Sequence, residues 1–341
     1  MSKKFGGGIS SLKCDFKNRT SAGEPKGDFP VVFQPLDKKF GDYTAAELRD
    51  IAAERGVLLP EREKQAERLY INLSESDIGV CLCSLLTLTY PDRIVKGALL
   101  LMKIYGIGRG IFAVPRSYYR EANLINAEIR KNKLLSIVTV ADRYPMYDGH
   151  TLVLAAAGVE INGGRDLSTT SFMTATPELC VNLFGVLAIG TEPVKYFSVG
   201  GDMLKKAELM TVSEGMTAED ALERCGLDKS GALVCGGLVR GRILNDGDAI
   251  PRNTDGLLFL KKKPAETRAY DCVSCGKCDG VCPMRLTPSM INEMLNRGRD
   301  PRRFSPSACI GCGCCSYICP CGEKICEKIQ RYNAEKETGN D

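Results

Sequence analysis

At 341 residues the chain is long enough for two domains, or three if one is small. A net charge of +4, a pI near 8.2 and 44% hydrophobic residues fit an ordinary globular protein, and on charge grounds they exclude a nucleic-acid footprint or a strongly acidic partner surface. Seventeen cysteines would suit an extracellular disulfide framework, but eleven of them fall between 272 and 326 in ligand spacing, and MSKKFGGGISSLKCDFKN at the start has no apolar leader segment.

Thiols in ligand spacing must stay reduced, so the expected compartment is the cytoplasm. The longest apolar run, 78–90, falls short of the roughly 20 residues a membrane span needs, so any membrane contact is expected through a partner. The basic stretches KKK at 261–263 and GRDPRR at 298–303 read as solvated faces.

Residues 1–42 are rich in Gly, Lys, Asp and Pro and read as an extended arm with one β-like island, FPVVFQPL at 29–36. A helix is predicted from YTAAELRDIAAERG, with Thr44 as N-cap, Glu47 completing a capping box and Gly56 ending it. From 69 the pattern alternates: strand 69–74, helix from about Pro91 to Gly106, strand 110–115, helix 117–132 and strand 134–140. That order predicts a Rossmann-like parallel sheet with right-handed crossovers over 43–194, closed by a helix across 176–190. Ligands of such a sheet bind at the carboxyl ends of its strands, here near Ser74, Pro115 and Asp142. Gly106, Gly108 and Gly110 form a GxGxG, but it follows a helix and precedes a strand, so it reads as a turn. His150 stands without a second histidine or a nucleophile in a recognisable motif, and Cys81, Cys83, Cys180, Cys225 and Cys235 read as core residues.

A smaller α+β unit follows at 195–263: strands at 195–201 and 208–214, a helix at 217–226 capped by Thr217 with Asp220, a strand at 231–237, a GDAI turn and a strand from 256. The order suggests a β-grasp module. The last region, 264–330, carries CVSCGKCDGVCP and CIGCGCCSYICP, both C-x2-C-x2-C-x3-C-P. In this ferredoxin run three thiolates hold one [4Fe–4S] cube and the fourth reaches the other. The expected ligands are Cys272, Cys275, Cys278 and Cys319 for cluster I, and Cys309, Cys312, Cys315 and Cys282 for cluster II. Gly276, Gly311 and Gly313 relieve crowding in the ligand loops. Structural zinc prefers two separated C-x2-C pairs or Cys/His mixtures, so iron–sulfur is the reading. A short helix is expected between the runs, with Pro288 in its first turn. Cys314 reads as a neighbour of cluster II, while for Cys321 and Cys326 a role as alternate ligands or a redox-active pair is left open beside the four thiolates the run already supplies. The tail 331–341 is expected to fray.

The order of parts resembles the RnfC component of Rnf electron-transport complexes and its soluble relatives. The resemblance spans roughly 43–330 and rests on FGGGI at 5–9, RYP at 143–145, the VGGD and CGGLVRG segments, NTDGLLFL at 253–260 and the two cysteine runs. It implies a flavin- and NADH-binding α/β domain, an SLBB-like β-grasp module and a helical dicluster ferredoxin domain. The chain departs from the family where GLGGAGFP is replaced by GVLLPER at 56–62 and NGAECEPY by NLSESDIG at 72–79. Val57, Leu58 and Leu59 stand where small residues would open the backbone to a phosphate, which argues against retained FMN or NADH. The function expected is an electron-transfer component rather than a stand-alone catalyst. It would pass electrons through two [4Fe–4S] clusters between protein redox partners, as one member of a hetero-complex. An FMN-dependent NADH dehydrogenase module and an assembly protein with structural clusters are the alternatives.

Overall fold

The computed structural model describes residues 31–338 apart from 38, 162–164, 214, 228–230, 246 and 265–269, so most of the expected arm and part of the linker before the cysteine runs lie outside the described residues. Residues 31–36 lie along the α/β domain, with Val32 and Phe33 donating backbone hydrogen bonds to the Gly190 carbonyl.

Helix α1 (Ala45–Glu54) starts on the expected box: Thr44 Oγ1 accepts the Glu47 N–H and the Glu47 carboxylate accepts the Thr44 N–H, a device worth roughly 1 kcal/mol. Then come β1 (Arg68–Asn72), α2 (Leu82–Thr89), α3 (Pro91–Ile104), β2 (Arg109–Pro115), α4 (Tyr119–Ile129), β3 (Leu135–Val140), α5 (Gly149–Ala157), β4 (Phe172–Ala175) and α6 (Pro177–Phe184). The four strands form an all-parallel sheet in the order β3-β2-β1-β4. Side chains alternate across it: Leu69, Ile71, Phe112 and Val114 face one core with α1, α3 and α6, while Tyr70, Ala113 and Val140 face α5. Gly97 lets α3 and α6 touch backbone to backbone, since a Cβ there would lie 2.0 Å from the Cys180 carbonyl oxygen. α2, α5 and β4 are additions to the elements expected from sequence, and the closing helix is α6 followed by a π-helical turn over Gly185–Ile189.

The second unit contains β5 (Lys195–Gly200), β6 (Glu208–Val212), α7 (Ala218–Cys225), β7 (Ala232–Cys235), β8 (Arg242–Leu244) and β9 (Gly256–Leu260). Its mixed sheet runs β6-β5-β9-β7-β8, with β5 and β9 parallel and the other pairs antiparallel. Thr217 and Asp220 make the expected capping box on α7. Lys195 Nζ, half-buried, bonds Glu178 of α6 at 2.9 Å and Asp255 before β9 at 2.6 Å, tying this sheet to the first domain.

The C-terminal region is helical: α8 (Lys277–Gly280), α9 (Pro288–Asn296), α10 (Cys314–Ile318) and α11 (Ile325–Thr338). The tail expected to fray from 331 is instead part of α11 as far as Thr338. It is pinned by Tyr332 Oη to Asp300 (2.7 Å), Asn333 Nδ2 to the Pro306 carbonyl (2.9 Å) and Gln330 Nε2 to the Cys309 carbonyl (3.1 Å).

Candidate iron–sulfur centre

Each cysteine run is built the same way. The first two cysteines lie in an extended loop, a glycine with positive φ turns the chain (Gly276 at 67°, Gly313 at 77°), and a helix of one turn, α8 or α10, carries the third cysteine. An L side chain is disfavoured at such φ values, which is the physical need for glycine at those two positions. The helix then delivers the fourth cysteine to the far side of its own loop.

That geometry gathers the cysteines into two hollows. The outer hollow is lined by Cys272, Cys275, Cys278 and Cys319, together with Cys321. The inner hollow is lined by Cys309, Cys312, Cys315 and Cys282, together with Cys314 and Cys326. The eight cysteines expected as ligands thus line the two hollows, Cys282 beside the second run and Cys319 beside the first, and Cys314, Cys321 and Cys326 line the same walls. Among the described residues, no three or more His, Cys, Asp or Glu side chains converge on one ion position. A cube distributes its thiolates over separate corner irons.

The walls differ. Cys272 and Cys275 are exposed, and Val273 and Tyr270 beside them are 67% and 61% exposed, so the outer hollow opens at the surface. Around the inner hollow the rest of the molecule closes in. Tyr144 donates from its hydroxyl to the Cys312 carbonyl. Arg240, in the turn between β7 and β8, packs its stem over Gly313, where a Cβ would sit 3.0 Å from the Arg240 Cγ. Its guanidinium lies 4.6 Å from the Tyr147 ring centroid, donates to the Ser76 carbonyl at 2.8 Å and stands 3.6 Å from the Asp77 carboxylate. Burial pushes the Tyr147 phenol up to about 12 and raises Tyr144 further, so both are neutral near pH 7 and the arginine is the cation on this wall. Among the thiols, a hydrogen bond from Cys314 brings Cys312 down to about 7, whereas burial pushes Cys278 up to about 11.

The carboxyl edge of the parallel sheet lies beneath this seam. There the Asn72 amide donates to the Met146 and Tyr147 carbonyls at 2.9 and 3.0 Å. The Glu75 carboxylate accepts the Cys83 and Ser84 N–H groups, both at 3.0 Å, so it occupies the anion position at the start of α2. The buried Asp77 carboxylate accepts the Ile78, Val239 and Arg240 N–H groups. The segment 56–62 lies elsewhere. Arg62 holds it to the Phe172 carbonyl at the start of β4, Tyr105 donates to the Pro60 carbonyl, Val57 is buried in the core and Leu58 faces solvent. This is the amino end of the strands, where Val57 packs into the core and Leu58 points to solvent, so these residues do not stand over the carboxyl edge. The expectation that they bar a phosphate is corrected on that point: the groups at the edge itself are Asn72, Glu75 and Asp77.

Two family models match the chain in succession: the Nuo51 FMN-binding domain over residues 57–186 and a 4Fe-4S dicluster domain over 266–320. Among curated relatives, the C component of the Na(+)-translocating ferredoxin:NAD(+) oxidoreductase complex of Acetobacterium woodii is 25% identical over 240 residues, covering 69% of this chain and 54% of the relative. The C component of the proton-translocating ferredoxin:NAD(+) oxidoreductase complex of Clostridium ljungdahlii is 20% identical over 276 residues, covering 76% and 60%. Together these matches support an RnfC-like family. The chain spans little more than half the length of those relatives. Among solved structures, an NAD+-reducing [NiFe]-hydrogenase in the H2-reduced state superposes with a TM-score of 0.53 at 14% identity, covering 87% of this chain and 67% of that one, a likeness of fold.

Tyr144 and Arg240 lie in the RYP and CGGLVRG segments but are not expected at the site from them, and Asn292 lies in no motif. For Asn292 a signal existed: Pro288, Ile291, Asn292 and Leu295 share one helical face, and an amide on an otherwise apolar face marks a buried polar contact.

Proposed function

We propose that the chain is a non-catalytic iron–sulfur component that carries electrons between protein partners within a larger oxidoreductase assembly, using two [4Fe–4S] clusters with crossed ligands. The observation that carries this reading is the exchange at the hollows: Cys282 of the first run lines the hollow of the second, and Cys319 of the second lines the hollow of the first. Two-cluster ferredoxins share ligands in this way. When bound, each cube takes up and releases one electron at a potential set by burial and hydrogen bonding. The cysteines hold and orient, the apolar walls exclude water, and Cys272 and Cys275 leave one hollow within reach of a partner at the surface. The mixed-sheet module, SLBB-like in the resemblance, acts as the bracket that presses Val239 and Arg240 against the inner loop. The names of the relatives support membership of a multi-subunit complex.

The match to an FMN-binding model favours a second reading, an FMN-dependent NADH dehydrogenase module. The residues present do not suit a flavin phosphate at the start of α2, because Glu75 already takes its amides and would repel a second anion. The two readings part on one experiment. FMN and NADH are added to cluster-loaded protein while flavin fluorescence and iron–sulfur absorbance are followed. The relay reading expects bleaching by dithionite and none by NADH; micromolar flavin binding with NADH-driven bleaching would overturn it in favour of the enzyme.

A further inference from the structure

In α9, which runs between the two hollows, Pro288 lines the inner hollow while Ser289 and Asn292 line the outer one. Asn292 is 1% exposed, and its Oδ1 is buried without a hydrogen-bond partner. A buried amide left unpaired is costly, so such an atom calls for a partner that completes it. Nearby polar groups are committed elsewhere: Ser289 donates its hydroxyl to Asp279 Oδ2 at 2.6 Å and its N–H to Oδ1 at 2.8 Å. Asn292 itself lines the outer hollow, together with the thiols of Cys272, Cys275, Cys278 and Cys319. A half-turn about the last side-chain torsion exchanges the amide oxygen and nitrogen in nearly the same space. Thiolates and inorganic sulfides only accept hydrogen bonds, so they select the orientation that points N–H inward.

We infer that Asn292 is a positioning and potential-setting residue of the outer hollow, donating its side-chain N–H to a sulfur of the cluster held there. This rests on the cluster reading above. An N–H dipole aimed at sulfur stabilises the reduced, more negative state more than the oxidised one, and so raises the reduction potential. Among the described residues the inner hollow has no counterpart: its lining consists of cysteines and apolar side chains such as Met284, Leu286, Ile310 and Ile329. The two clusters, held by runs of identical spacing, are therefore tuned differently.

The test is redox potentiometry followed by electron paramagnetic resonance on the full chain purified without oxygen, with signals assigned through Cys319→Ser for the outer hollow and Cys282→Ser for the inner. Asn292→Leu, of similar size and without the donor, is expected to disfavour reduction of the outer cluster about tenfold, a downward shift of about 59 mV for one electron. The inner midpoint and the iron content should stay as in the unsubstituted protein. Unchanged midpoints, or equal shifts of both clusters, would overturn the inference. Should Asn292→Leu lose iron, unsubstituted protein labelled with ¹⁵N at the asparagine side-chain amides supplies the answer: a ¹⁵N coupling on the outer signal supports the bond, and its absence refutes it. Unsubstituted protein that never holds two clusters would sink the cluster reading first and this inference with it, an outcome the iron content reveals on its own.

Discussion

The two hollows share a ligand spacing and differ in their surroundings. The inner one has apolar walls and is pressed between the carboxyl edge of the parallel sheet and the β7–β8 turn, with Tyr144 and Arg240 on its ligand loop. The outer one has two exposed cysteines and exposed apolar neighbours, Tyr270 and Val273, and keeps one buried amide among its walls. Spacing decides what a run of cysteines can hold, while the walls decide who can reach it and at what potential. On the relay reading proposed above, such a chain would have an inside end and an outside end for electrons.

The largest expected effect concerns the crossing itself. Cys282→Ser should perturb the signal of the inner cluster and spare the outer, and Cys319→Ser should do the reverse. Loss confined to each residue's own run would show that the runs close on themselves and would remove the basis of the comparison. A smaller, kinetic effect follows from exposure. A bulky iron chelator should strip about half of the eight irons implied by two cubes in a fast phase, and Cys319→Ser should abolish that phase. A single phase would mean that the walls do not differ in access.

A third change sharpens the role of the seam. Arg240→Gln removes the cation from the 3%-exposed Asp77 and uncovers Gly313, while the backbone hydrogen bonds to Asp77 remain. The expected cost is about 1–2 kcal/mol in urea unfolding, discounted for screening because the guanidinium is 37% exposed. The inner signal should broaden or shift while the outer stays fixed. Equal changes in both signals would argue against a seam that belongs to one hollow. The smallest change is the one expected for Asn292→Leu, confined to the outer midpoint.

Much of this architecture is legible in the chain. Thr44 with Glu47 and Thr217 with Asp220 cap helices as their spacing suggests, the alternation from 69 to 140 gives a parallel sheet, and the cysteine spacing predicts both sets of residues found at the hollows. What is not legible depends on contacts distant in sequence. β4 is four residues with little pattern of its own, and it exists because β1 offers an unpaired edge. The run 78–90 is apolar on all sides, so its periodicity does not separate strand from helix, and Glu75 capping decides for α2. The polar tail is helical because Tyr332, Asn333 and Gln330 each find a partner across the fold, which composition does not reveal. The loop at 56–62 shows the opposite limit: its residue types suggest a bar to a phosphate, but it lies at the amino ends of the strands, where Val57 packs into the core and Leu58 meets solvent.

The most direct test of the relay is to purify the full chain anaerobically, measure iron, acid-labile sulfide and zinc, and titrate the same sample with dithionite and back with an oxidant. A relay of two cubes requires about eight iron and eight sulfide per chain and two reversible one-electron steps. Four irons, zinc in their place, or cubes that do not reduce reversibly would refute it, and the last of these would leave the clusters a structural role alone.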